Sequence, residues 1–265
     1  MKLLEKAMEA VFPTSIYCIC CGAVIDQSRT YALCDNCADK LSWVEGHTCA
    51  KCGKILDADN DRSLCHDCSS REHFFDKGYT CAQYGLYERA LMMDLKYRDK
   101  SYLARKIGAV MADRIAMEDI DVDAVVPVPV HRKRLDERGY NQAELIAAPV
   151  AERLGKPLLP QALKRIVSTS AMKDLGKWER IENARHAFAV SASGRRAVEC
   201  RRILLVDDIY TTGATLDACA KVLLEAGACA VDVYTFAAGG DRHPQGRGRA
   251  RRSTGMISTG IELIV

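Results

Sequence analysis

The chain has no long hydrophobic run. No window approaches the ~18 consecutive apolar residues of a membrane span, so membrane insertion is not expected. An export signal is also missing: Met1–Phe12 is interrupted by Glu5 and Glu9, and its apolar run is too short. Without export, the 13 cysteines in 265 residues do not read as a disulfide framework, and the expected compartment is the cytoplasm. Net charge is small as well. Lys and Arg number 38 against 35 Asp and Glu, a net of +3. Residues 239–265 account for that excess, with Arg242, Arg247, Arg249, Arg251 and Arg252 against Asp241 and Glu262, and the rest balances at 33 of each sign. A general basic footprint for nucleic acid is therefore absent. The Gly- and Arg-rich 239–265 segment has poor patterning and is expected to be a disordered tail.

What the chain has in abundance is paired cysteine. Eight of the 13 fall into Cys-x-x-Cys pairs: Cys18/Cys21, Cys34/Cys37, Cys49/Cys52 and Cys65/Cys68. A shift of 31 residues superposes the first two pairs on the last two, so the segment is an internal repeat. Gly22 and Gly53 follow equivalent cysteines, where a turn around a metal needs a positive φ. Two tandem zinc ribbons, four thiolates each, explain the spacing. A cross-brace joining the first pair to the third and the second to the fourth uses the same residues. The whole 31-residue repeat favours the tandem arrangement. His47 and His66 read as surface residues beside the ligands, Cys20 and Cys81 as spare thiols, and Cys200, Cys219 and Cys229 as small core residues. A 30-residue ribbon buries little core, so metal must contribute its folding energy.

The densest chemistry lies at residues 203–215. An apolar strand, Ile203–Val206, runs into Asp207 and Asp208; a turn of Thr211, Thr212, Gly213, Ala214 and Thr215 follows; a helix pattern begins at Leu216. Neighbouring carboxylates accept hydrogen bonds from vicinal hydroxyls, as on a ribose. A hydroxyl- and glycine-bearing turn at a helix N-terminus wraps a phosphate with backbone N–H groups. The two are compatible if a sugar lies between acids and phosphate, with a divalent cation. This segment resembles the PRPP-binding motif of the type I phosphoribosyltransferases, in which the acidic pair holds the ribose hydroxyls of 5-phosphoribosyl-1-pyrophosphate and the loop holds its 5-phosphate.

Around this motif the periodicity predicts helices over about 88–97, 102–117, 142–154, 175–183 and 216–226, and strands over 122–130, 203–206 and 230–238. Pro127 should end the first strand near Val126, Asn141 should cap the 142–154 helix, and Pro149 should bend or split it. Phe74, Phe75 and Tyr79 should pack the ribbons on the rest. Alternating strands and helices imply an α/β fold with a mainly parallel sheet, whose ligands bind at the carboxyl ends of strands. Two basic segments should reach that edge. One is the loop 127–138, with His131, Arg134 and Arg138, continuing to Asn141. The other is 165–183, with Lys173 and Arg180. Cations there would stabilise a leaving pyrophosphate in the transition state. Asp207, Asp208, Lys173 and Arg180 are the expected catalytic residues; Thr211–Thr215, His131, Arg134, Arg138 and Asn141 are the expected substrate contacts.

The double ribbon, Pro127-Val-Pro-Val-His131, Arg138-Gly-Tyr-Asn-Gln142, Leu175-x4-Arg180-x2-Asn183, Ala187-Phe188 and the Asp-Asp motif resemble the ComF family in content and order. Met172 stands where that family carries a Gln three residues after its Thr, here Thr169. The resemblance implies a type I phosphoribosyltransferase fold, two structural zinc ions, Mg²⁺ with PRPP, and a link to natural competence through single-stranded DNA or a helicase-like partner. The expected organisation is an N-terminal helix segment (1–14), the double ribbon (15–80), the phosphoribosyltransferase-like domain (81–238) and the tail. Three functions fit: a competence factor binding PRPP or a nucleotide, a metabolic transferase moving ribose 5-phosphate to a base or amine, and a non-catalytic PRPP sensor or DNA-binding adaptor.

Overall fold

The computed structural model describes residues 16–26, 28–56, 62–97, 100–167 and 187–241. The expected 1–14 helix, the 175–183 helix and most of the expected tail lie outside these residues.

The centre of the molecule is a parallel sheet in the order β1 (Gly78–Gln83), β6 (Ala230–Ala238), β5 (Arg202–Tyr210), β2 (Ala124–Pro127). A short segment continues the sheet beyond β2, where Val125 N donates to Pro157 O and Leu159 N to Val125 O. Strand periodicity sorts the core into two layers. Leu204, Val206, Tyr234 and Phe236 face one layer, with α3 (Leu86–Tyr97), α4 (Tyr102–Ile115) and α6 (Gln142–Leu154). Ile203, Leu205, Val231 and Val233 face the other, with α8 (Ala214–Glu225) and the antiparallel hairpin β3 (Leu163–Arg165) and β4 (Phe188–Val190). The fold class is the expected one: α/β with a mainly parallel sheet, preceded by a ribbon region.

Both ribbons dock on the outer edge of β1. Val44 N donates to Cys81 O, Gln83 N to Ser42 O and Gly78 N to Lys51 O, at 2.7–2.8 Å. These bonds satisfy backbone groups that would otherwise form an open sheet edge. Gly53 (φ 73°) lies directly against the backbone of Gly78, where a side chain on either residue has no room. Phe75 and Tyr79 are buried as expected, whereas Phe74 is half exposed, its side chain lying under Lys221.

Several local expectations are corrected. The segment after His131 is not a loop: residues Arg132–Arg138 form α5, because His131 Nδ1 accepts from Lys133 N at its start and Gly139 (φ 77°) ends it. α6 runs unbroken through Pro149; Gly108 on α4 leaves space for the Pro149 ring and the Ile146 carbonyl. α7 (Ala192–Val198), capped by Ser191, and the β3–β4 hairpin were not anticipated. Pro127 is the last residue of β2, paired with Val206, where its missing N–H costs little. Of the three cysteines expected in the core only Cys219 is buried; Cys200 (φ 54°) and Cys229 lie exposed in turns.

Candidate functional site

The ribbons are built twice on one plan. Gly22 N donates to Cys18 O and Gly53 N to Cys49 O, both at 2.9 Å, and Cys18 N to Ala23 O and Cys49 N to Lys54 O, both at 2.8 Å. Both glycines sit at φ 73°. Cys18, Cys21, Cys34 and Cys37 form one group and Cys49, Cys52, Cys65 and Cys68 the other, the four sulfurs of each within 4.8 Å of one another. This is the tandem pairing. A tetrahedral zinc at ~2.3 Å from each sulfur requires sulfurs about 3.8 Å apart. Cys21 and Cys34 stand 3.8 Å apart and Cys52 and Cys65 3.7 Å, so both groups fit zinc. Backbone N–H groups of Cys34 and Cys65 point at the sulfurs of Cys18 and Cys49. Burial raises the Cys18 thiol, but backbone N–H donors from Cys34, Cys21 and Cys20 outweigh it and bring it down to about 7. His47 and His66 are exposed and belong to neither group.

The acidic pair lies inside β5, not after it. Adjacent residues on a strand point to opposite faces, and the two carboxylates accordingly meet different surroundings. Asp208 is buried and its Oδ2 lies 2.6 Å from Lys96 Nζ, in the last turn of α3. Lys96 escaped the sequence reading, which placed only apolar residues of that helix. Asp207 Oδ1 accepts from Asp208 N at 2.8 Å. Burial, then the Asp208 charge, push the Asp207 carboxyl up to about 8, against the opposing pull of Lys96 and that N–H.

Beyond β5 the chain turns through exposed Thr211 and Thr212 into buried Gly213 (φ 74°), the N-cap of α8. No side chain caps this 12-residue helix strongly; Thr212 Oγ1 reaches Ala214 N only at 3.5 Å. Its first N–H groups thus have no intrahelical acceptor, and the helix dipole adds positive potential there. Gly213 lies against the Tyr210 side chain, so a Cβ is excluded.

The basic residues divide. His131 pairs with Arg165 across a parallel bridge, and Arg165, its guanidinium over the Phe188 ring, is close enough to feel both Arg134 and Asp207. Burial lowers the Arg165 pKa, and Arg134 adds to that while Asp207 opposes it. His131, Arg134, Arg165 and Asp207 therefore gather at the carboxyl edge of β5 and β2. Asn141 and Arg138 serve the scaffold. Asn141 caps α6 at Ala143 N and donates to Val128 O, and Arg138 donates to Gln142 Oε1 at 2.7 Å. Lys173 and Arg180 lie outside the described residues.

Comparison with known proteins agrees with this arrangement. Residues 7–69 match the double zinc ribbon domain, and residues 140–258 the phosphoribosyl transferase domain. Competence protein F of Haemophilus influenzae is 26% identical over 224 residues, covering 82% of this chain and 89% of that protein. The chain thus carries a double zinc ribbon and a phosphoribosyl transferase domain, and is similar to a competence protein over most of its length. Competence protein ComFC of Bacillus subtilis is 33% identical over 113 residues, 42% of this chain and 43% of its own. DNA utilization protein YhgH of Salmonella typhi is 29% identical over 149 residues, 54% of this chain and 64% of its own. The chain thus spans less than two thirds of these last two relatives. Among solved structures, a Bacillus subtilis glutamine PRPP amidotransferase with ADP and GMP shares 22% identity over 52% of this chain and 26% of its own, at a TM-score of 0.36. Among the described residues no helix is long and apolar enough to cross a membrane.

Proposed function

We propose that this chain is a member of the ComF family that binds a phosphoribosyl ligand, PRPP or a nucleotide, at the carboxyl edge of β5 and β2, and acts in DNA uptake and natural competence. The observation that carries the ligand reading is the Asp207–Thr215 unit: a strand-borne acid followed by a turn of free N–H and hydroxyl donors opening an uncapped helix. Asp207 and Asp208 would accept from the ribose hydroxyls, and Thr211–Thr215 would hold the 5-phosphate. His131 and Arg134 would face the pyrophosphate together with Arg165, and Arg138 and Asn141 would hold the scaffold behind them. Mg²⁺ arriving with the pyrophosphate would neutralise part of its charge. Lys96 Nζ lies 2.6 Å from Asp208 Oδ2, so a sugar hydroxyl on Asp208 would share that carboxylate with the cation. The competence assignment comes from the names of the relatives, and the ribbons would contact single-stranded DNA or a helicase-like partner.

Isothermal titration of PRPP with Mg²⁺ into wild type and the Asp207→Asn/Asp208→Asn pair tests the site. The variant should lose about 1–3 kcal/mol, the scale of hydrogen bonds to charged groups. Equal affinity would refute the ribose assignment. The same mixture, supplemented with bases and amines, separates transfer from sensing: pyrophosphate release marks a transferase, and binding without release a sensor.

A further inference from the structure

The second ribbon holds both flanks of the phosphate turn. On the strand side, the Tyr210 ring meets Phe75 edge-on at 6.2 Å and lies under Lys54 Nζ at 5.3 Å. Lys54 follows Cys52 by two residues and is buried, its ammonium 2.7 Å from Asp67 Oδ2 beside Cys68. On the helix side, Asp217 in the first turn of α8 is buried. Its carboxylate accepts from the Arg71 guanidinium, from His73 Nδ1 at 2.8 Å and from Phe74 N at 3.0 Å. These three donors directly follow α2 (His66–Ser70), which carries the ligand Cys68. A buried carboxylate persists only when such partners satisfy it, so the first turn of α8 is fixed to the chain leaving the metal group. The first ribbon makes no comparable contact with residues 210–217 among the described residues. It packs instead with α3, α4 and β1, through Ser42 N to Glu88 and the Tyr31 hydroxyl to Asp113.

We infer that zinc in the second ribbon and a phosphoribosyl ligand on residues 211–215 stabilise each other, with Asp217 as the positioning residue between them. This rests on the ligand reading above. Zinc orders Cys65–Cys68 and with them the Arg71–Phe74 stretch. That stretch holds Asp217, and through it the orientation of the N–H groups that face the phosphate. Coupling between two sites is reciprocal: ligand must hold zinc in the second ribbon as firmly as that zinc favours ligand. Zinc in the first ribbon should be indifferent.

The test uses the full chain loaded with two zinc ions, a colourimetric chelator to follow zinc release, and ribose 5-phosphate as the probe, since it chelates zinc far less than a pyrophosphate. In wild type, saturating ribose 5-phosphate should slow release of one of the two ions at least about fivefold, the lower end of allosteric couplings, and leave the other unchanged. Asp217→Asn should retain both ions and release both at rates that ligand does not alter. Arg71→Gln, which changes a partly exposed side chain, should behave the same way and serves if Asp217→Asn fails to fold. Wild type that binds ribose 5-phosphate by titration yet releases both ions at unaltered rates would overturn the coupling alone. Slowing that survives in either variant would remove Asp217 from it. Wild type that binds neither ribose 5-phosphate nor PRPP would overturn the ligand reading and the coupling together.

Discussion

Replacing Asp207 by Asn should stabilise the protein in the absence of ligand while weakening its binding of a phosphoribosyl ligand. The Asp207 carboxyl is pushed from 3.8 up to about 8, first by burial and then by the adjacent Asp208 charge. A folded-state value above the unfolded one means that the native protein binds the proton more tightly, so stability falls as pH rises from the unfolded value through the folded one. A separation of about four units corresponds to roughly 5–6 kcal/mol at ~1.36 kcal/mol per unit. Because Lys96 and the Asp208 N–H can adjust toward the charge on Asp207, about half of that, ~2–3 kcal/mol, is the expected net penalty of the charge at pH 8. Asn keeps the size of the side chain and its acceptor for Asp208 N, and carries no charge. Denaturant unfolding of zinc-loaded wild type and Asp207→Asn at pH 4.5, 6 and 8 should show a small difference at the lowest pH. It should widen to ~2–3 kcal/mol in favour of the variant at the highest. Comparing the two proteins at each pH cancels the pH dependence of zinc binding, which both share. A difference that stays flat with pH, or a variant less stable at pH 8, would show that Asp207 ionises in the fold as it does in water.

Two further outcomes follow from the same geometry. Lys96→Met leaves the buried Asp208 carboxylate without its cation and should cost about 3 kcal/mol at pH 7, the low end for breaking a buried pair. Adding Asp208→Asn should recover most of the loss, and a double variant no more stable than the single one in denaturant unfolding would refute the pairing. Gly213→Ala forces a side chain into the left-handed region and against Tyr210, so it should cost about 2–3 kcal/mol in the same assay and weaken PRPP binding. Gly139→Ala, at a similar φ but with nothing within 4 Å of the added Cβ, should cost only about 1 kcal/mol. Equal losses at the two positions would rule out the Tyr210 contact.

The metal groups were legible because their chemistry is local: two knuckles a short distance apart in the chain must close on one ion, and Cys18–Cys37 and Cys49–Cys68 repeat that closure at a fixed offset. The 142–154 and 230–238 elements were legible for a related reason, since an Asn cap and a mostly apolar run ending at Gly239 announce their own boundaries. Arg132–Arg138 was misread because its charged residues show no apolar periodicity; the signals that mark it are the His131 cap and Gly139. Pro149 was expected to break its helix, and only the facing Gly108 shows why the helix continues. Lys96 and Arg165 carried no motif at all. Each enters the site through packing of an element distant in sequence from Asp207 and Asp208.

The sequence by itself determined the two groups of metal-ligating cysteines, the fold class and the strand-turn-helix of residues 203–225, because each depends on residues close together in the chain or on a regular alternation of elements. The tertiary structure alone decided that the two acids point to opposite faces, that Lys96 neutralises one of them, and that the second ribbon grips both sides of the 211–215 turn. Those facts depend on which helix lies over which strand and which ribbon covers the sheet edge. Such long-range contacts arise when both faces of the parallel sheet are buried at once, and no local pattern of residues records them.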